Sequence, residues 1–297
     1  TQTARMLRKF RLVFFPAFFL FFTIGAASAQ ERMPSLSTVT LSATRGTPNT
    51  WSPDRLVPNS FANIGGFQGR SNVLQIGILG SPPSGNAGAG SGEPGDPTGI
   101  GTGFTALQGR SYFYGSALNG AWTLSADLWI ESSWSNPANG LRRAELWGKS
   151  SNANNNTAGL PAIGFTNEGS SGTGRFRWAT GNWDETWFNV PAATAPVNYG
   201  AWNSFKIEFV PASNLFKYYV NGVQVASFTS IVPVPSFCAS CGGTTTGFNS
   251  VILQTYNYTA NNSVGYNVHW SNAVAAPTIT TTGTLSAFTT CAGSASA

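Results

Sequence analysis

The sequence contains little charge, and outside its first 29 residues the charges are nearly balanced. Only 9% of the 297 residues are Asp, Glu, Lys or Arg, with 16 basic against 11 acidic side chains. Four basic residues and no acidic ones lie among the first 29 residues, which leaves 12 basic against 11 acidic side chains in the rest. Proteins that bind nucleic acid or acidic membranes carry a clustered excess of Lys and Arg. The composition therefore argues against both kinds of partner.

Metal-binding and nucleophilic residues are also scarce, with one histidine, His269, and three cysteines. A zinc site would need more Cys or His ligands at suitable spacing, and a thioredoxin-like role for Cys238 and Cys241 would need a strand-helix-strand context that the sequence lacks. No phosphate-binding glycine loop, nucleophile elbow or metalloprotease motif occurs. Because export permits disulfides, we expect Cys238 and Cys241 to staple their own Pro/Ser/Gly-rich loop.

Long apolar runs are absent except near the N-terminus. Leu12–Ile24 is apolar, follows the basic segment 8–11 and precedes the small-residue sequence at positions 27–29. The run is shorter than the roughly 20 residues that span a bilayer. We interpret residues 1–29 as a signal peptide, which predicts a secreted or cell-surface protein with no membrane association after cleavage.

What the sequence has in abundance is glycine and aromatic residues, with 34 Gly, 21 Phe and 10 Trp. Short aromatic segments alternate with Gly/Asn/Pro turns, and helical periodicity is nearly absent, which is typical of all-β proteins. The segment 121–130 alternates so that Trp122, Leu124 and Leu128 share one face. Antiparallel strands with one buried face show this pattern.

The clearest local signal is a β-hairpin. Segments 216–220 and 223–228 flank Asn221-Gly222, a pair favoured in two-residue type I′ turns, and an alternating segment at 205–209 precedes them. Further strands are expected at 73–79, 251–258 and 265–270. The predicted core residues are the apolar members of these strands: Trp122, Leu124, Leu128, Phe205, Ile207, Phe209, Val268 and Trp270.

These segments predict one β-sandwich over residues 50–277, preceded by an N-terminal segment, 30–49. The Gly/Pro/Ser-rich stretch 80–103 is expected to be a surface loop. The Thr-rich residues 278–297 resemble the first strands of a truncated further β module, although a simple tail is the alternative. On the first interpretation the chain is part of a longer multidomain protein.

The order of the strand segments resembles the concanavalin A-like lectin/glucanase superfamily and its laminin-G-like relatives. The resemblance covers about residues 50 to 275 and is carried best by Trp202-Asn203-Ser204-Phe205-Lys206 followed by Tyr218-Tyr219-Val220-Asn221-Gly222. It implies an antiparallel jelly-roll sandwich. Lectins, adhesion modules, glycoside hydrolases and polysaccharide lyases share this fold, so function has to be argued from the site. The resemblance also raises calcium, but no cofactor is indicated by the residues.

Two enzymatic alternatives depend on carboxylates and on the single histidine. Retaining glycosidases of this fold carry a Glu-x-Asp-x-x-Glu strand, which this sequence lacks, and the adjacent pair Asp184-Glu185 would point to opposite sides of a strand. The segment Arg142–Leu146 resembles the Arg-x-Glu-Leu strand of alginate lyases, but their base and acid segments are not matched. His269 is expected on a polar sheet surface, where a hydrogen-bonded structural role is its simpler interpretation.

The same alternation predicts a ligand-binding face. Aromatic and hydrogen-bonding side chains lie off the core face of four strands, and the candidate site consists of Trp129, Arg143, Glu145, Trp147, Gln254, Tyr256 and His269. If these strands share a sheet, the side chains form one groove that suits a polysaccharide or other glycan. The alternative is that loops 80–103 or 152–159 cover the tryptophans.

The sequence thus leaves three classes of function. The first is a secreted carbohydrate-binding or adhesion module, the second a polysaccharide lyase or other carbohydrate-active enzyme, and the third a structural spacer of a surface protein.

Overall fold

The computed structural model describes residues 48–55, 60–78, 107–169, 173–182, 186–256 and 265–278. The predicted signal peptide, the 80–103 loop and the C-terminal segment from residue 279 lie outside these residues. In the described part of the chain, no helix combines the length and the hydropathy needed to cross a membrane.

Two seven-stranded antiparallel sheets make up the fold. Sheet A has the spatial order β1 (Thr50–Arg55), β4 (Leu107–Asn119), β15 (Gly247–Tyr256), β6 (Arg143–Ser151), β7 (Thr157–Thr166), β8 (Arg175–Gly181) and β9 (Trp187–Asn189). Sheet B has the order β12 (Val223–Thr229), β11 (Leu215–Val220), β10 (Ala201–Val210), β5 (Trp122–Ile130), β16 (Tyr266–Pro277), β3 (Val73–Ile78) and β2 (Ser60–Asn63). A separate ribbon pairs β13 (Ile231–Val232) with β14 (Gly243–Thr244), and the described helices are short 3-10 turns at Ser132–Ser135, Pro137–Asn139 and Pro211–Ser213. The predicted all-β antiparallel sandwich is confirmed.

The core lies between the inner faces of the two sheets. All eight core residues predicted from alternation are buried and belong to one apolar cluster. Strands of sheet A supply further members such as Leu146, Phe165 and Leu253. Each fully buried large apolar side chain stabilises the fold by about 1.5 to 3 kcal/mol relative to exposure. Since every second side chain of a strand faces this core, its neighbours lie on the outer face of the same sheet.

The β11–β12 hairpin has the predicted turn. Val220 pairs with Val223, and the two residues between them have positive φ, 49° at Asn221 and 81° at Gly222. Positive φ at both positions is what a type I′ turn requires. The Asn221 amide also donates to the Ser204 carbonyl (2.9 Å), which ties the turn to β10.

A disulfide joins Cys238 and Cys241 in the loop between β13 and β14. The side-chain amide of Asn152 donates to the carbonyls of Ser240 (3.1 Å) and Gly242 (3.0 Å). These contacts hold the disulfide loop against the β6–β7 turn.

Candidate functional site

The predicted site residues divide between the two sheets. Four lie on strands of sheet A (Arg143, Glu145, Trp147 and Gln254), and two lie on strands of sheet B (Trp129 and His269). Tyr256 ends β15, and its side chain lies outside the described part of the structure. The strands do not share a sheet, so the single groove is not formed. Alternation assigns a side chain to the inner or outer face of its strand, but it carries no information about which sheet the strand joins.

On sheet A, a buried carboxylate is held by two arginines. Oε1 of Glu145 accepts hydrogen bonds from Arg143 Nε (2.5 Å) and from Arg177 Nη2 (2.7 Å) and Nε (3.2 Å). Oε2 accepts from Trp147 Nε1 (3.0 Å), and the Glu145 side chain is only 1% exposed. We call Arg143, Glu145 and Arg177 the Arg clamp.

Gly164 makes room for this clamp. In the sheet register Glu145 lies opposite Gly164, and Gly164 lies opposite Arg177. A Cβ atom at Gly164 would lie 2.7 Å from Cγ of Glu145, closer than side-chain atoms pack. Because β7 has no side chain at this position, Arg177 on β8 can reach across it to the carboxylate on β6.

The electrostatics of the clamp keep Glu145 ionised. Burial on its own would raise the pKa of Glu145, but the charges and hydrogen bonds of Arg143 and Arg177 hold that pKa below its ordinary value. Three donor groups already occupy the carboxylate oxygens. Glu145 therefore suits the positioning of its neighbours and is poorly suited to donate a proton near neutral pH.

Two indole rings lie beside the clamp. The rings of Trp147 and Trp187 meet edge to face with centroids 5.6 Å apart, and the small residues Ala162 and Ala179 occupy the register positions between them. Cζ of Arg177 lies 4.2 Å from the Trp187 ring centroid. We call Trp147 and Trp187 the tryptophan pair. Trp147 is 5% exposed, whereas Trp187 is half-buried and is the accessible member.

Further polar groups border the tryptophan pair and the clamp. Gln254 lies opposite Glu145 in the register. Glu168 Oε2 is 3.8 Å from Arg177 Nη1, and Arg175 Nε donates to Asn189 Oδ1 (2.7 Å). The outer face of sheet A thus combines indole surface with guanidinium, amide and carboxylate groups within a few residues.

On sheet B, Trp129 and His269 are cross-strand neighbours beneath a cover. The Phe67 ring stacks on His269, with centroids 4.0 Å apart, and meets Trp129 edge to face at 5.8 Å. Trp129 is 8% exposed and His269 is 6% exposed. Within the described residues the cover comes from the segment around Phe67, which the sequence did not predict for this role.

His269 is neutral near pH 7. Burial lowers its pKa from 6.5 to about 4. Nε2 donates to Gln75 Oε1 (3.0 Å), and Nδ1 lies 3.9 Å from the Glu131 carboxylate. The lyase alternative would combine this histidine with Arg143, but the two residues lie on opposite outer faces of the sandwich.

Sequence reasoning missed four members of these clusters: Arg177, Trp187, Phe67 and Trp202, whose ring centroid lies 5.7 Å from that of Trp129. Alternation in Arg175–Trp178 could have predicted that Arg177 lies on the outer face of its strand, because its neighbour Phe176 faces the core. Trp187 belongs to a three-residue strand, and Phe67 to a short turn, where no periodicity can be measured. Within the described chain, no three His, Cys, Asp or Glu side chains group as metal ligands.

No protein-family model and no curated protein matches this chain. Among solved structures it is similar to a sialidase, with TM-score 0.42 and 10% identity, over 77% of this chain but only 17% of the sialidase. It is also similar to a β-glucanase of Bacillus licheniformis (TM-score 0.35, 10% identity, 77% of this chain and 92% of that one). A carbohydrate-binding module from Bacillus subtilis gives TM-score 0.34 and 9% identity over 80% of this chain and 99% of that module. The likeness to each of these proteins is one of fold.

Proposed function

We propose that this chain is a glycan-binding module and that its ligand lies on the outer face of sheet A. The observation that carries the proposal is the packing of Trp187 beside Trp147 and over Arg177, next to the buried Glu145. An indole face can pack against the C–H face of a pyranose ring, and guanidinium groups can donate to hydroxyl or carboxylate oxygens.

The Arg clamp supports binding because it is ordered before a ligand arrives. A free arginine side chain loses rotamer freedom when it is immobilised, and this loss weakens binding. Here Glu145 and the Trp187 ring already restrict Arg177. A ligand that contacts Trp187 and the clamp would therefore meet side chains already in place.

Binding fits the state of Glu145 better than acid catalysis does. A retaining glycosidase uses two carboxyl groups about 5 to 5.5 Å apart, and its general acid has a raised pKa. The pKa of Glu145 is instead lowered, and both of its oxygens accept hydrogen bonds. An enzymatic alternative on this face would need another residue as proton donor.

The proposal can be tested with a glycan array on the full chain, followed by calorimetry with the best ligand. Trp187→Ala should weaken binding by about 1 to 3 kcal/mol, the range of an aromatic contact at an interface. The matched control is Phe188→Ala, because Phe188 is the next residue of β9, is 43% exposed and stacks on Trp178 instead. This control should keep the wild-type affinity.

The same samples discriminate the remaining classes of function. Unchanged affinity in a folded Trp187→Ala variant would show that sheet A is not the ligand surface. Release of new reducing ends or unsaturated uronate ends would support a carbohydrate-active enzyme. A chain that binds no glycan on the array would support a structural spacer.

A further inference from the structure

The outer face of sheet B carries a row of ring-bearing and polar side chains across four strands. In the register, Trp202 on β10 lies opposite Trp129 on β5, Trp129 lies opposite His269 on β16, and His269 lies opposite Gln75 on β3. The Trp129 and Trp202 rings have centroids 5.7 Å apart. Cross-strand neighbours on one face are close enough to contact the same small ligand.

A small hairpin covers this row. Phe67 and Arg70 exchange two backbone hydrogen bonds (2.8 and 3.0 Å), and the residues between them, Gln68 and Gly69, have φ of 48° and 78°. The Phe67 ring occupies the slot over His269 and makes edge contacts with Trp129 and Trp202. We call residues 65–71 the cover hairpin.

The Phe67 ring covers two buried polar atoms but offers neither of them a hydrogen bond. Among the described residues, neither Trp129 Nε1 nor His269 Nδ1 has a hydrogen-bond partner. Because His269 Nε2 donates to Gln75 and the imidazole is neutral, Nδ1 is a hydrogen-bond acceptor, whereas the indole Nε1 is a donor. A hydroxyl group both donates and accepts, so a ring that bears hydroxyls would match both atoms while keeping the stacking contact.

We propose that the Trp202–Trp129–His269 row is a second saccharide-binding site, separate from sheet A, and that Phe67 occupies the place of a sugar ring when no ligand is bound. Its ligand class is a neutral saccharide. The imidazole face provides the stacking surface, and the two indoles flank it edge to face. Of the nearby charges, Arg70 and Asp127 are paired with each other (2.5 Å), and the Glu131 carboxylate, 3.9 Å from His269 Nδ1, can accept a hydrogen bond from a sugar hydroxyl.

Few contacts hold the cover hairpin down. Among the described residues they are the part-exposed Arg70–Asp127 ion pair, hydrogen bonds from Trp202 Nε1 to the Gln68 carbonyl (3.0 Å) and from the Gly65 amide to Asn63 Oδ1 (2.8 Å), the Arg70 guanidinium over Trp202 and the Phe67 packing. The hairpin begins at Gly65 and Gly66, where a Cβ atom would meet nothing closer than 3.9 Å. The cover can therefore move without disturbing packed side chains at its start.

The experiment uses the fact that His269 is the only histidine. Its ring signals in NMR spectra report on sheet B alone. We would titrate cellohexaose, mannohexaose and xylohexaose into the full chain, into Phe67→Ala and into the control Ile64→Ala, whose side chain is exposed just before the cover hairpin. At least one hexasaccharide should shift the His269 signals, with a Kd about tenfold lower in Phe67→Ala than in the wild type or the control, because the competing ring is gone.

Trp129→Phe in the Phe67→Ala background should raise that Kd again, since it keeps an aromatic ring but removes the Nε1 donor. Trp187→Ala on sheet A should leave the His269 shifts unchanged, so failure of this site and failure of the sheet A proposal are distinguishable. If Phe67→Ala does not fold, Arg70→Gln tests the same cover through its ion pair. The proposal would be overturned if no hexasaccharide shifted the His269 signals of a folded cover variant.

Discussion

At the scale of single residues, Gly164 determines whether the Arg clamp can form. It lies between Glu145 and Arg177 in the register of sheet A. A Cβ atom there would lie 2.3 Å from the Ala144 carbonyl oxygen and 2.7 Å from Glu145 Cγ. The missing side chain is thus as important to the site as the charged ones.

We expect Gly164→Ala to destabilise the protein by about 1 to 3 kcal/mol, because the new methyl group overpacks β6 and β7. Urea unfolding measures the change. The control is Gly66→Ala, where the nearest atom to a new Cβ, the Arg70 carbonyl oxygen, is 3.9 Å away. Equal stability of Gly164→Ala and wild type would show that the strands can separate there without cost.

His269 should make stability depend on pH. Its pKa is lowered to about 4 in the folded protein, against 6.5 for an exposed histidine. The unfolded chain therefore binds the proton more tightly, so stability is complete above about pH 6.5 and decreases as the pH falls toward 4. We expect a contribution of about 1 to 3 kcal/mol, since each unit of pKa shift corresponds to about 1.4 kcal/mol.

The measurement is the free energy of unfolding of wild type and His269→Gln between pH 7 and pH 4. Carboxyl groups titrate in the same range in both proteins, so only the difference between the two curves reports on His269. Parallel curves would contradict the buried, neutral state of this ring.

For these residues, the sequence predicted the face of the sheet on which a side chain lies, but not how deeply that side chain is buried. Alternation with Val268 and Trp270 correctly placed His269 on an outer face. It could not predict that Phe67, about two hundred positions away in the chain, stacks on the imidazole. Burial of an outer-face residue depends on such contacts, and no local pattern encodes them.

At the scale of elements, the β11–β12 hairpin depends on the backbone conformation of its turn residues. Asn221 has φ of 49°, its amide donates to Ser204, and its side chain accepts from the Ser204 amide (2.8 Å). We expect Asn221→Pro to destabilise the protein by about 3 kcal/mol or more, since proline fixes φ near −65° and removes the amide donor.

Thermal and urea unfolding measure this loss, and Asn221→Gly is the matched control. Glycine accepts positive φ, so this variant loses only the side-chain hydrogen bonds and should cost about 1 kcal/mol. Similar stability of the two variants would argue that the backbone angle is unimportant for this turn.

The elements also show where prediction from sequence ends. Strands β5, β10, β11 and β12 were predictable because alternation and the Asn-Gly turn are local signals. Sheet membership was not, because β6 pairs with β15 about a hundred residues later in the chain. Such pairings are set by packing of whole sheets, and this is why Trp129 and Trp147 were expected in one groove but lie on opposite faces.

At the scale of the whole molecule, the charged side chains that the structure describes are not evenly distributed between the two outer faces. Four basic side chains against two acidic ones are described on sheet A: Arg143, Lys149, Arg175 and Arg177 against Glu145 and Glu168. On sheet B the described charges balance, three against three: Arg70, Lys206 and Lys217 against Asp127, Glu131 and Glu208. The near balance of 12 basic against 11 acidic residues after position 29 cannot show this difference.

This asymmetry predicts which glycans sheet A prefers, provided that the proposed function holds. An acidic glycan would meet the basic excess, and the attraction should weaken as salt shortens the Debye length from about 10 Å at 0.1 M to about 3 Å at 1 M. We expect an oligogalacturonide to bind more tightly than a neutral galacto-oligosaccharide of the same length at 50 mM salt, and the difference to shrink at 500 mM.

Two charge variants locate the effect. Arg175→Gln, which removes a sheet A charge outside the clamp, should weaken oligogalacturonide binding by about three- to tenfold, the range expected for one charge-assisted contact. Lys217→Gln removes a charge from sheet B and should have no effect on that ligand. Calorimetry at both salt concentrations measures the affinities. Equal affinity for the acidic and neutral oligosaccharides in the wild type would show that the arginines of sheet A position the tryptophan pair without selecting the charge of the ligand.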